Sequence, residues 1–172
     1  MHRWALDKNL TFMGNSDIHA PSTLQESTVE QHRPMTLVFA HGKSIPAVKD
    51  ALESGRTAIW FEDKIIGRQK YLEALFEAAV RITDIEREGK VVRFTLRNGS
   101  DLSLNLQRVG RTGPREVVLP PDAVMRIRLN AGAADKPVEM SYTVENFLMA
   151  PGRGLPVSFT IAGDVEAEIS SP

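Results

Sequence analysis

Two side chains near the start of the chain are of types that bind metals. Asp17 and His19 lie two residues apart in the run Thr11-Phe12-Met13-Gly14-Asn15-Ser16-Asp17-Ile18-His19-Ala20-Pro21. In extended backbone, residues i and i+2 point to the same side, so both face one cavity while Ile18 turns away into packing. A carboxylate and an imidazole together suit Zn, Mn or Fe. The same residues also suit a structural role, with Asp17 closing an Asx-turn and His19 exposed. The remaining histidines, His2, His32 and His41, form no H-x-H or H-E-x-x-H arrangement.

The elements that must position this pair read as an α/β pattern. Residues 1–10 suit a short helix with Trp4, Leu6 and Leu10 as buried candidates, and Leu10–Met13 suits a strand. Pro21 stiffens the loop exit. Residues 22–34 are polar and read as a loop whose end, His32 and Arg33, reaches toward the pocket that Asp17 faces. Met35–Ala40 is almost continuously apolar, as in strands covered on both faces of a parallel sheet. Ser44 is the N-cap of a helix over Ile45–Glu53, with Pro46 in its first turn and Gly55 after its end. Its apolar positions Ile45, Val48 and Leu52 are expected to face the sheet. A strand over Thr57–Phe61, a polar turn at Glu62-Asp63-Lys64 and a helix from Gly67 to Val80 complete this part. Leu72, Leu75, Phe76 and Ala79 recur in that helix at three- and four-residue spacing.

Past residue 80 the period changes to two. Val80–Arg87 and Val91–Arg97 alternate around Glu88-Gly89-Lys90, a hairpin signal. Leu102, Leu104 and Leu106 form one apolar face, and Glu116–Leu119 is a short strand before Pro120-Pro121. Over residues 123–129, Arg126 and Arg128 oppose Met125, Ile127 and Leu129. Val138–Val144 and Val157–Ile161 alternate too, with a further extension over 165–169. Short alternating strands in this number predict an antiparallel, Ig-like β-sandwich. Asn98, Asn105 and Asn146 read as turn or strand-end residues, and Arg108, Arg111 and Arg115 as a solvated loop. The glycines at 110, 113, 152 and 154 lack the strand–loop–helix setting of a phosphate loop.

Gly14-Asn15-Ser16-Asp17-Ile18-His19, followed by His32–Ala40, Ala51–Phe61 and Ile66-Gly67-Arg68, resembles the C-terminal end of a PHP-type (polymerase and histidinol phosphatase) metal-dependent phosphoesterase. The resemblance is to a branch in which a β-rich domain follows the barrel, and it is close over residues 9–80. It implies a fold of two parts: residues 1–80 as the C-terminal portion of a truncated PHP-type α/β barrel, and residues 81–172 as a β-sandwich. It implies that Asp17 and His19 are metal ligands from the last barrel strand with a catalytic role, and that Arg33 binds substrate phosphate through its guanidinium. The family's earlier motifs, an H-x-H pair, an acidic ligand and a further His, are not in this sequence. The resemblance thus implies a divalent-metal hydrolase of a phosphorylated small molecule or a phosphodiester, with an incomplete site and no activity in this chain alone. The missing barrel half or a homo-oligomer would complete it. The alternative is a non-catalytic β-sandwich binding or interface module with a structural α/β segment.

Composition bounds the rest. With 172 residues, 42% hydrophobic and 25% charged, the chain is able to bury a core. Its net charge of −1 gives no electrostatic footprint for nucleic acid or a membrane surface. It has no cysteine, which excludes disulfides and thiolate metal sites. No stretch approaches the roughly 18 apolar residues of a membrane span, and the first ten residues lack the apolar run of a signal peptide. The expectation is a soluble protein of unassigned compartment whose leader, if any, belongs to the missing part.

Overall fold

The computed structural model describes residues 2–17, 19, 32–131, 136–162 and 167–170. The loop expected over 22–34 lies outside these up to residue 31, as do Ile18, Pro21 and residues 165–166 of the last expected strand. The described chain is mostly β and forms two compact units, Met1–Leu72 with Asn146–Gly154, and Glu73–Glu145 with Leu155–Pro172.

The first unit begins with helix α1 (His2–Asp7) and an extended segment leading to Asp17. Strand β1 (Met35–Val38), helix α2 (Ile45–Glu53), strands β2 (Thr57–Phe61) and β3 (Lys64–Gly67) and the start of helix α3 (Gln69–Ala79) follow. β1 pairs antiparallel with β2, and β2 antiparallel with β3. β3 then pairs parallel with the late strand β9 (Val138–Ala150), through Ile65 opposite Phe147 and Ile66 opposite Leu148. Asn146 Nδ2 donates to the Asp63 carbonyl at 2.7 Å, so this asparagine, inside a strand and not at its end, anchors the β2–β3 turn.

α2 forms for the reasons its sequence states. Ser44 accepts from the Ala47 N–H, and Pro46 occupies the first turn, where no intrahelical N–H bond is lost. At its far end the Arg56 N–H bonds to the Ala51 carbonyl and the Gly55 N–H to that of Leu52, with Gly55 at φ 64°. This Schellman closure needs a residue that tolerates the left-handed conformation. Arg56 then pairs with Asp50, whose carboxyl is held below its usual range by that hydrogen bond and by the guanidinium charge.

Several expectations about the first unit are corrected. Leu10–Met13 is not a strand and joins no ladder: the Leu10 N–H donates to the Ala5 carbonyl, its carbonyl accepts from Arg68, and Thr11 holds on through its side chain. Trp4 (60% exposed) and Leu10 (40%) are not buried, and Ile45 (85%) faces solvent while Ala51 fills the buried face of α2. The 35–40 run is not a doubly covered parallel strand, since β1 is antiparallel and Met35 is exposed. The helix expected over Gly67–Val80 is α3, but between it and the expected turn at 62–64 lies an element the sequence reading does not assign: β3, which makes a two-residue hairpin with β2, Phe61 opposite Lys64. Glu62 at φ 54° takes the positive-φ turn position usually given to glycine, so the expected turn is present but carries no glycine to mark it as a tight hairpin.

The second unit is an antiparallel sandwich, as the alternation predicts. One sheet has the order β4 (Val80–Glu88), β5 (Val91–Asn98), β8 (Val124–Asn130). The other has β7 (Glu116–Leu119), β6 (Leu104–Arg108), β9, β10 (Arg153–Ile161) and β11 (Ala167–Ser170). Phe94, Leu96 and Ile127 from the first sheet meet Leu106, Val117, Met140, Tyr142 and Phe159 from the second around a void of only about 10 Å³. Phe76 of α3 is fully buried with its ring 6.1 Å from that of Phe159. Such dense burial of large apolar side chains is the main stabilising term of the unit.

Tyr142 is a polar exception in this core. Its hydroxyl donates to the Pro114 carbonyl at 3.1 Å, and burial raises its pKa. Tyr142→Phe is expected to lower stability by about 1 kcal/mol, the net worth of one buried hydrogen bond, measured by urea unfolding. An unchanged midpoint would mean that the hydroxyl contributes nothing to holding the 109–115 loop. Among the described residues no helix is long and apolar enough to cross a membrane.

Candidate metal-binding loop

The segment that carries Asp17 is tacked to the first unit residue by residue. Arg68 Nη2 donates to the Leu10 carbonyl at 2.9 Å, and its guanidinium carbon lies 6.0 Å from the centre of the Phe12 ring. Thr11 Oγ1 donates to the Leu52 carbonyl at 3.0 Å, at the end of α2. Phe12 is buried, with the His2 ring edge-on at 5.3 Å. Burial lowers the His2 pKa, which favours the neutral ring. Gly14 is held at both polar groups by one side chain: its N–H donates to Thr36 Oγ1 at 2.9 Å, and that hydroxyl donates to its carbonyl at 3.1 Å. Thr36 sits on β1 and so replaces a ladder pair with a side-chain clasp.

Gly14 is required there. A Cβ at this position would lie 2.6 Å from Ile59 Cγ2 and 3.3 Å from the Met35 carbonyl oxygen. Three residues beyond the clasp, Asp17 takes the left-handed backbone region at φ 48°. The extended geometry expected for this pair is therefore absent at Asp17. The side chains still converge, with His19 Nε2 3.5 Å from Asp17 Oδ1. They do not line a cavity, for the side chains of Asp17 and His19 are 93% and 87% exposed.

The separation suits a shared ion. Two ligands of a tetrahedral metal with bonds of about 2.1 Å lie about 3.4 Å apart. The donor set, one carboxylate oxygen and one ring nitrogen, fits Zn, Mn or Fe. Two ligands do not make a closed site, and among the described residues no three His, Cys, Asp or Glu side chains converge on one point.

Arg33 is not joined to this pair. It is half-buried, and its carbonyl accepts from His32 Nδ1 at 2.7 Å. The His32 ring packs edge-on against Trp60 with centroids 4.5 Å apart. Among the described residues no contact links Arg33 to Asp17 or His19. Thr36 and Arg68 lie in segments that carry the resemblance, but sequence reasoning misses their role in placing the loop: a threonine in a strand and an arginine after a glycine give no local signal of their long-range partners.

Residues 79–160 match a family model described as an Ig-like domain. Among solved structures, the chain is similar to a two-domain protein from Bacteroides vulgatus containing a predicted PHP-like metal-dependent phosphoesterase. The two share 33% identity with a TM-score of 0.83, over 92% of this chain and 48% of that one. This chain thus spans about half the length of that protein. No curated protein matches it.

Proposed function

We propose that this chain is the C-terminal part of a metal-dependent phosphoesterase, in which Asp17 and His19 supply two metal ligands. The observation that carries the reading is their convergence to 3.5 Å on an exposed loop clasped to β1. The likeness to the two-domain Bacteroides vulgatus protein supports it. A divalent ion held there would activate water and offset charge on phosphoryl oxygens. Asp17 would provide an oxygen ligand, and His19 a neutral ring nitrogen. Arg33 would contact substrate phosphate through its guanidinium. The near-complete exposure of Asp17 and His19 fits a surface covered in a larger protein. Remaining ligands would come from outside the described residues, and residues 1–80 would form the end of an α/β barrel whose other strands cover β1. This chain by itself would have no phosphoesterase activity.

Calorimetric titration of the chain with Mn²⁺ and Zn²⁺ tests the ligand pair. The expected result is saturable binding that weakens about tenfold or more in the Asp17→Ala, His19→Ala double variant, a loss of the size metal-site substitutions cause. Because both side chains stand in solvent, the double variant keeps the fold. Equal binding by both proteins would sink the ligand assignment.

A second reading has its own support in the match of residues 79–160 to an Ig-like domain. On this reading the sandwich is a non-catalytic binding or interface module. It gains if the double variant leaves metal binding unchanged.

A further inference from the structure

The outer face of the three-stranded sheet sets two arginines directly across from one another. β5 and β8 pair so that Arg93 lies opposite Arg128 and Thr95 opposite Arg126. Directly opposed like charges on one face destabilise a strand pair. Arg126 and Arg128 are exposed, whereas Ile127 between them is buried, so both arginines project from the outer face.

The carboxylates nearby do not fully answer this charge. Arg93 is bonded to Glu88 at 3.0 Å and sits opposite Glu86 in the β4–β5 register. Asp84 takes hydrogen bonds from the Thr95 and Thr83 hydroxyls, which with the fields of Arg126 and Arg97 hold its carboxyl below the usual range. Arg128 makes no ion pair or hydrogen bond with a carboxylate among the described residues.

The backbone makes room beside these groups. The β4–β5 register breaks between Thr83 and Glu86, with Asp84 at φ 51°. This bulge re-aims the edge of the sheet. A groove of about 230 Å³ opens there across β4, β5 and β8, lined by the polar residues Asp84, Glu86, Arg93, Thr95, Arg126 and Arg128 together with Phe94 and Ile127. Guanidinium groups bind oxyanions through paired N–H donors, and phosphate above all.

We propose that this groove is an anion-binding site that takes a phosphate group between Arg126 and Arg128. The bound oxyanion relieves the Arg93–Arg128 opposition, and the acidic side of the groove, Asp84 and Glu86, accepts hydroxyl donors from whatever carries the phosphate. The proposal is independent of the metal ligands and stands on residues of the sandwich alone.

The test titrates the full 172-residue chain with inorganic phosphate and with glucose 6-phosphate at constant ionic strength held by chloride. Arginine side-chain NMR signals and calorimetry report binding. Saturable binding is expected, with shifts at Arg126 and Arg128. It weakens about tenfold or more in Arg128→Gln and in the Arg126→Gln, Arg128→Gln double variant, and is unchanged in Arg153→Gln. Thermal melts without phosphate separate a binding role from a structural one: Arg128→Gln melts at the same temperature as the parent or higher, because a like-charge opposition is gone. Tighter binding of the sugar phosphate than of inorganic phosphate assigns the site to a phosphorylated ligand, and equal binding assigns it to the free ion. Shifts that never saturate, or affinity retained in the double variant, would overturn the proposal.

Discussion

Asn98→Leu is expected to destabilise the sandwich by about 3 kcal/mol, because one fully buried amide closes three backbone segments at once. Its Nδ2 group donates to the carbonyls of Leu102 (2.6 Å), Leu119 (3.1 Å) and Pro120 (2.9 Å). Its Oδ1 accepts from the Ser100 N–H at 3.1 Å and the Ser100 hydroxyl at 2.7 Å. Leucine fills a similar volume but leaves the buried Leu119 carbonyl and the half-buried Leu102 carbonyl and Ser100 hydroxyl without this partner, and an orphaned buried group costs about 1–3 kcal/mol. The comparison with Asn98→Asp sharpens the test. A carboxylate turns an acceptor toward three carbonyl oxygens, so this variant should be the less stable of the two. Urea unfolding of both variants measures this. If Asn98→Asp equals or exceeds Asn98→Leu in stability, the amide is not the closing group of these segments.

Gly14→Ala is expected to cost about 1–3 kcal/mol in the first unit, the usual range for overpacking. The added Cβ would meet Ile59 Cγ2 at 2.6 Å, and the Met35 carbonyl leaves little room on the other side. The clash falls on the residue whose two polar groups Thr36 holds, so the clasp must open or β2 must shift. Ile59→Ala removes the opposing methyl. In the double variant the cost should shrink, giving a coupling above about 0.5 kcal/mol in a double-mutant cycle, as contacting residues show. Additive effects of the two substitutions would mean that the loop is not wedged against Ile59. Metal binding of Gly14→Ala, measured beside stability, reports whether the clasp also sets the spacing of Asp17 and His19.

Local signals carried the parts of the fold that local physics decides. The β4–β5 hairpin is written in alternation and in Gly89, which takes φ 57° in its turn. β8 is legible because Arg126 and Arg128 alternate with Met125, Ile127 and Leu129. α2 carries its own caps. The failures are non-local. β3 is four residues long, and its pairing with β9 spans about half the chain, so nothing near residue 65 announces it. Trp4, Leu10 and Ile45 looked like core residues because apolarity predicts burial only where a partner surface exists. Of the candidate site, Asp17 and His19 were legible as types at a spacing. Their convergence came by a different route from the one that spacing suggests, since Asp17 is left-handed and not extended. The Arg126–Arg128 groove was not legible, because it depends on which residues lie across β5 and on a bulge in β4.

Strand β9 has a consequence for how the chain is made. Residues 146–150 of this strand belong to the first compact unit, although they follow the bulk of the second in sequence. During synthesis at roughly 5–20 residues per second, β3 leaves the ribosome early and waits without its parallel neighbour. That neighbour, Phe147-Leu148, emerges only after β4 through β8 have been translated. The order of emergence therefore lets the sandwich hairpins form first, while the N-terminal unit stays an open edge until its last strand arrives. A ribosome stalled before residue 147 would hold a nascent chain with the β4–β5–β8 sheet ready to form and the β3 edge unpaired.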